Sequence, residues 1–166
     1  MRGRQSAAHR RLSEDRTGAA SERLFLEDLY VGQRFVSAVH HLDAEQIKTF
    51  AREYDPQPFH LSDEGAGGTI FGTLAASGWH TMAITMRLLV DSVPLDAGLI
   101  GATTEVSWPR PTRPGSDLQV FSEFVDILPS RSKPNMAIVT MRAETRDQDG
   151  QVLQIFTAKM PVFKRP

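Results

Sequence analysis

The C-terminal part of the chain reads as a series of strands with no room for a helix between them. Four segments rich in β-branched and aromatic residues lie at residues 100–108, 118–128, 135–145 and 152–163. Prolines and glycines separate them, including the hairpin pair Asp149-Gly150. Parallel neighbours need a crossover of about a dozen residues or more, which these breaks do not offer. The sequence therefore predicts consecutive antiparallel strands.

Two helices and a first strand are predicted ahead of these strands. Residues 35–39 are rich in residues that favour strands. Asp43 can cap a helix with apolar residues at helical spacing, and Pro56 ends that helix. Ser77 can cap a second, longer helix with a broad apolar face. The order of elements predicts an α+β domain in which a sheet wraps one long helix.

The N-terminal segment differs in composition from the rest of the chain. It is rich in Arg, Ser, Ala and Gly, shows no hydrophobic periodicity and has almost no large aliphatic residues. Such a segment cannot bury enough apolar surface to offset the entropy lost on ordering. We therefore predict a disordered Arg-rich tail at residues 1–23 and a single domain at residues 24–166.

The composition excludes several functional classes. The 19 Lys and Arg residues nearly balance the 20 Asp and Glu residues, whereas nucleic-acid-binding proteins show a basic excess. Cysteine is absent, which removes disulfides, thiol nucleophiles and thiolate metal sites. No apolar run approaches the roughly 20 residues needed to cross a bilayer. We expect a cytoplasmic protein that binds neither nucleic acid nor membranes.

The segment Asp55-Pro56-Gln57-Pro58-Phe59-His60 combines a carboxylate and an imidazole around two prolines. The prolines exclude a helix and force a bent path that can turn both side chains inward. Asp and His together can take a proton from water and return one near neutral pH. An ordinary proline-rich turn, with a capping aspartate and a hydrogen-bonded histidine, would use the same residue types. From the spacing alone, both interpretations stay open.

These six residues also resemble the D-x-N-P-x-H signature of the MaoC-like dehydratases and (R)-specific enoyl-CoA hydratases, with Gln57 where Asn is usual. Residues 71–79 resemble that family's small-residue entry to its central helix. Residues 106–117 resemble its strand, proline loop and Gly-x-Asp restart. The resemblance extends over residues 24–164. It implies a single hotdog domain, an antiparallel sheet of five to six strands wrapped around one long central helix.

The resemblance implies a reaction and roles for particular residues. In the family, the signature Asp and His, here Asp55 and His60, add water across the double bond of a trans-2-enoyl-CoA or run the reverse reaction. A backbone amide at the start of the central helix polarises the thioester carbonyl, and Gly78 matches that position. The candidate substrate-binding residues are Gln57, Ser77, Trp79, Met82 and Arg113. Coenzyme A enters as part of the substrate, and neither a metal nor another cofactor is expected.

A glycine-rich stretch at residues 65–69 lies between the signature and the central helix. It lacks the Lys-Ser or Lys-Thr pair of a phosphate-binding P-loop. Its composition instead predicts a flexible loop over the mouth of the site.

Two other functions share the implied fold. A hotdog thioesterase would hydrolyse acyl-CoA with a carboxylate and a helix-entry amide, and a non-catalytic module would only bind acyl-CoA. Fold alone does not separate these functions. Because a sheet with an open edge invites pairing, we also expect a homodimer or a dimer of dimers.

Overall fold

The computed structural model describes residues 22–166. Its strands and helices are β1 (Arg34–Leu42), α1 (Ala44–Tyr54), α2 (Asp63–Ala66), α3 (Gly78–Ser92), β2 (Thr103–Ser107), β3 (Ser116–Pro129), β4 (Met136–Arg146) and β5 (Val152–Phe163). All the strands and both helices expected from the sequence are present. The predicted tail at residues 1–23 lies, apart from its last two residues, outside the described residues.

The five strands form one antiparallel sheet in the order β1-β3-β4-β5-β2. Alternate residues are buried along most of β3, β4 and β5, which gives the sheet one face directed to the core. β2 pairs only with β5, and four of its five residues are exposed. It is shorter than the predicted 100–108, since an edge strand gains hydrogen bonds from one neighbour only.

α3 is the central helix of the domain and packs against β1 and β3. Its buried residues Leu88 and Leu89 belong to one apolar core together with Phe124 of β3 and Met141 of β4. Burying each such side chain contributes roughly 1.5–3 kcal/mol. The predicted arrangement of a sheet around one long helix is therefore confirmed. Among the helices of residues 22–166, none is both long enough and apolar enough to span a membrane.

The glycine-rich stretch begins inside a short helix, since Gly65 and Ala66 belong to α2, where the sequence predicted a loop; its flexibility stays a prediction. Ser62 caps α2 by accepting a hydrogen bond from the Gly65 amide at 3.0 Å. The Asp63 carboxylate accepts another from the Leu74 amide at 2.8 Å. A Cβ on Gly65 would lie 2.3 Å from the Pro58 carbonyl oxygen, so the two segments touch through their backbones. Glycine is needed here for close approach rather than for flexibility.

We predict that Gly65→Ala lowers the free energy of unfolding by more than about 1 kcal/mol, because the new methyl group displaces the Pro58 backbone. Gly67→Ala is the matched control. There the added Cβ meets only ordinary contacts at 3.4 Å, and the backbone angles suit alanine. Its effect should stay within about 0.5 kcal/mol or stabilise. Urea unfolding of both variants checks this, and equal stability of the two would refute it.

Candidate active site

Asp55 stands where α1 ends and the proline turn begins. Its backbone amide still closes the helix by donating to the Ala51 carbonyl at 3.0 Å, while Pro56 prevents a further turn. The carboxylate is largely shielded, with 16% of its side chain exposed. One of its oxygens, Oδ1, accepts a hydrogen bond from the side-chain amide nitrogen of Gln57, Nε2, at 2.7 Å. The second oxygen, Oδ2, is turned towards His60.

His60 ends a single 3₁₀ turn, Pro58–His60, and is almost completely buried. Its Nδ1 lies 2.7 Å from the Ala75 carbonyl oxygen. Because a carbonyl can only accept, Nδ1 must carry the proton, and Nε2 of the neutral ring keeps its lone pair. Phe59 packs edge-on against the imidazole at 4.5 Å between ring centroids. The ring is therefore fixed both in orientation and in tautomer.

Asp55 Oδ2 and His60 Nε2 face each other across 3.4 Å. With the imidazole neutral, both atoms are hydrogen-bond acceptors, and the distance is long for a strong direct bond. Burial raises the pKa of Asp55, but hydrogen bonding by Ser77 and Gln57 outweighs it and holds this pKa below its ordinary value, and a protonated His60 would lower it further. The carboxylate is thus ionised at neutral pH. Two such acceptors can hold both hydrogens of one water molecule.

The N-terminus of α3 brings a backbone donor to the same place. Ser77 is buried, its hydroxyl accepts from the Trp79 amide at 3.2 Å, and the same side chain helps to lower the pKa of Asp55. Gly78 is the first residue of the helix, so its amide has no acceptor within the helix. Among residues 22–166 no other acceptor takes it up. The site therefore combines a carboxylate, an imidazole and a free amide at the positive end of a helix dipole.

The other predicted substrate-binding residues lie at varying distances from this centre. Trp79 is 63% exposed, and its ring meets that of Trp108 edge-on at 5.5 Å. Met82 is half-buried one turn further along α3, with its sulfur 3.5 Å from the Gln154 amide. The Arg113 guanidinium donates to the carbonyls of residues 71, 73 and 74 and so ties down the segment that leads into α3. Substrate contact by these residues stays a prediction.

Two residues near the start of α3 were not predicted from the sequence: Trp108, which packs on Gly78, and Gln154, which holds Trp108. The Trp108 indole lies so close that a Cβ on Gly78 would be 2.7 Å from its Cε2 atom. The indole nitrogen donates to the side-chain oxygen of fully buried Gln154 at 2.8 Å. Trp108 belongs to a segment that the sequence did single out, at residues 106–117, but Gln154 carries no local signal.

A surface cavity of about 540 Å³ lies at the opposite end of α3 and is lined by residues 93–99 together with Arg23 and Val90. It borders neither Asp55 nor His60. Its position gives it no part in the chemistry of this site, which is defined by the converging polar groups.

A second buried histidine, His80, lies close to the site but has a different environment. Its ring stacks on Phe50 at 4.5 Å with nearly parallel planes, and its Nδ1 has no hydrogen-bond partner within the described residues. Burial, with a smaller effect from the charge of His40, lowers the pKa of His80 to about 4. This histidine is held neutral as part of the packing.

The described chain has clear relatives among known proteins. A family model described as MaoC like domain matches residues 30–146. The solved MaoC-like dehydratase from Rhodospirillum rubrum is 59% identical, with a TM-score of 0.84 over 86% of this chain and 99% of that one. The unliganded (R)-hydratase PhaJ1 from Pseudomonas aeruginosa, at 24% identity, gives a TM-score of 0.70 over 86% of this chain and 88% of that one. The 3-hydroxybutyryl-CoA dehydratase of Methylorubrum extorquens is 27% identical over 131 residues, covering 78% of this chain and 82% of the relative. These matches confirm the predicted hotdog fold.

The environment of His80 leads to a pH prediction. Because the folded-state pKa lies near 4 and the unfolded value near 6.5, the unfolded chain binds the additional proton as pH falls between these values. Through this residue, stability falls as the pH drops below about 7, by about 2 kcal/mol at pH 5, and it continues to fall to about pH 4. His80→Phe keeps the stack and should reduce the loss by that amount in urea unfolding, with an unchanged m-value as the control. Equal pH dependence of the two proteins would contradict the assignment.

Proposed function

Since the chain belongs to the family of MaoC-like dehydratases, we propose that it adds water reversibly to the double bond of a trans-2-enoyl-CoA, giving an (R)-3-hydroxyacyl-CoA. The observation that carries this proposal is the pair Asp55 Oδ2 and His60 Nε2, facing each other at 3.4 Å beside the free amide of Gly78. A carboxylate, an imidazole and a helix-entry amide are the groups that hydration of an unsaturated thioester requires.

The pair activates the water. A water between Asp55 and His60 donates one hydrogen to each acceptor, which directs its oxygen lone pair outward to C3 of the substrate. As the C3–O bond forms, one O–H bond breaks and the proton passes to the pair. The carboxylate beside the ring stabilises the imidazolium whenever His60 holds that proton. The pair then returns a proton to C2, so one water is added across the double bond and nothing else is consumed.

The Gly78 amide supports the electrophile. Addition at C3 places negative charge on the thioester oxygen, and a free N–H in the first turn of α3 can donate to that oxygen. The helix dipole favours the same charge. The absence of a Cβ at this position makes room for the Trp108 indole, whose Cε2 atom lies 2.7 Å from where a Cβ would stand.

One relative supports the proposal that the substrate is a coenzyme A thioester. The dehydratase from Methylorubrum extorquens is named for 3-hydroxybutyryl-CoA, a short coenzyme A thioester. We propose the same class of substrate here, with Gln57 holding Asp55 and with Ser77, Trp79, Met82 and Arg113 forming the walls around the acyl group and its carrier. A cytoplasmic location stays a prediction from composition.

We predict that Asp55→Asn lowers the rate of hydration of trans-2-butenoyl-CoA about 10²–10⁴-fold, because the variant loses the acceptor that activates water. Asp149→Asn is the matched control, since Asn suits the exposed hairpin turn before Gly150 and should leave the rate unchanged. Enoyl absorbance and free thiol are recorded together for both variants and the unmodified chain.

The two recorded signals, enoyl absorbance and free thiol, distinguish the hydratase from the alternative functions. Loss of enoyl absorbance without thiol, abolished by Asp55→Asn alone, supports the hydratase. Release of thiol would identify a thioesterase instead. Binding of the thioester with no change in either signal would identify a non-catalytic module, and full activity of Asp55→Asn would overturn the proposed role of the pair.

A homodimer, or a dimer of dimers, is the proposed assembly. β2 leaves one edge of the sheet without a partner among residues 22–166. The outer face of α3 exposes Trp79 and Val90, which are 63% and 56% accessible. Apolar side chains next to an open edge are features of a surface covered by another copy.

We expect the purified chain to have a mass in solution of twice or four times that of one chain. Light scattering coupled to size-exclusion chromatography measures this directly, across about a tenfold range of protein concentration. The dilute sample is the control for weak association. A mass of one chain throughout would contradict the proposed assembly.

A further inference from the structure

The start of α3 at Gly78 packs against Trp108, a residue outside the signature. The indole lies over the α-carbon of Gly78, with three of its ring atoms within 3.0 Å of where a Cβ would stand. Because no side chain separates the ring from the helix backbone, any movement of the indole changes the space available to the first turn of α3. The contact therefore lies at the residue whose amide the proposed reaction uses.

Trp108 is in turn held by a side chain from β5, the strand that pairs with β2. Its indole N–H donates to Gln154 Oε1 at 2.8 Å. Gln154 lies on β5 and is completely buried, so an amide at this place must have partners on both of its ends. The other end is taken by Thr85, whose hydroxyl accepts from Gln154 Nε2 at 2.9 Å.

The chain of contacts returns to the helix from which it started. Thr85 lies two turns after Gly78 on α3 and donates its hydroxyl proton to the Thr81 carbonyl or to Thr145 Oγ1, at 2.8 and 2.6 Å. Gln154 thus fixes α3 at one point directly and at its first turn through Trp108. Each polar atom along this route has a partner, which makes the arrangement rigid.

We propose that Trp108 and Gln154 are positioning residues for the Gly78 amide, Gln154 acting through Trp108. This inference rests on the proposed hydratase function. An oxyanion donor is effective only within about 2.7–3.1 Å of the oxygen on which charge develops, and small misplacements are costly in rate. The contacts from Gln154 through Trp108 hold the Gly78 amide in its position, and neither residue needs to touch the reacting atoms.

Two substitutions and their combination test the proposal. Gln154→Leu removes the acceptor of the indole N–H, and Trp108→Phe removes the donor while keeping an aromatic ring. We expect each to lower kcat about tenfold with KM changed less than about threefold, because the donor acts on the transition state. The double variant should lose no more than one single variant does, since both substitutions break one route. Thr145→Val, which alters the same network beyond Thr85, is the control and should keep kcat.

A readout that needs no turnover accompanies the kinetics. Glycine-selective nitrogen-15 labelling restricts the amide spectrum to the twelve glycines of the chain. Gln154→Leu keeps the tryptophan ring and should still shift the Gly78 signal, whereas Thr145→Val should not.

Each result decides the proposal. An unshifted Gly78 signal, an unchanged kcat, multiplied losses in the double variant, or a raised KM with unchanged kcat would each overturn it. If the unmodified chain hydrates no thioester, the proposed function fails, and the Gly78 signal alone decides whether Trp108 and Gln154 position the amide.

Discussion

The hydrogen bond from His60 to the Ala75 carbonyl is the contact on which the arrangement of the site depends. A second bond runs beside it in the opposite sense, from the Ala75 amide to the Phe59 carbonyl at 3.2 Å. Together they join the proline turn that follows α1 to the segment that enters α3. This link, with the hydrogen bond from the Leu74 amide to Asp63 nearby, holds the carboxylate and imidazole next to the helix entry that carries the Gly78 amide. The tautomer of His60 and the geometry of the site are therefore set by the same bond.

The two buried histidines show how environment decides the use of a residue type. His60 has a partner for one ring nitrogen and an ionised carboxylate facing the other. His80 has an aromatic ring against its face and no partner for Nδ1 within the described residues. The first environment suits the proton transfer that we propose for His60, whereas burial of the second ring disfavours its protonated form. Proximity to a site is therefore a poor guide to participation in its chemistry.

Much of the fold could be predicted from the sequence because its signals are local. Strand composition, the caps Asp43 and Ser77, and the hairpin at Asp149-Gly150 act over a few residues. The signature around Asp55 and His60 is local too, and the structure brings these residues together with Gly78. The short helix α2 was missed because a glycine-rich composition is the same whether the glycines provide flexibility or allow two backbone segments to approach closely. The pairing of Trp108 with Gln154 was missed because it depends on the order of strands in the sheet, which no short pattern encodes.

The contact between Gly78 and Trp108 links two positions in the evolution of this fold. While a large ring lies over the start of α3, every side chain at position 78 is excluded, whatever the acyl group bound. A lineage that exchanges the ring for a smaller residue gains freedom at position 78 and at the same time loses the partner of Gln154. We therefore expect the residues at positions 78, 108 and 154 to change together among homologues. A substitution at position 78 would then accompany changes at a tryptophan and a glutamine far from it in the chain.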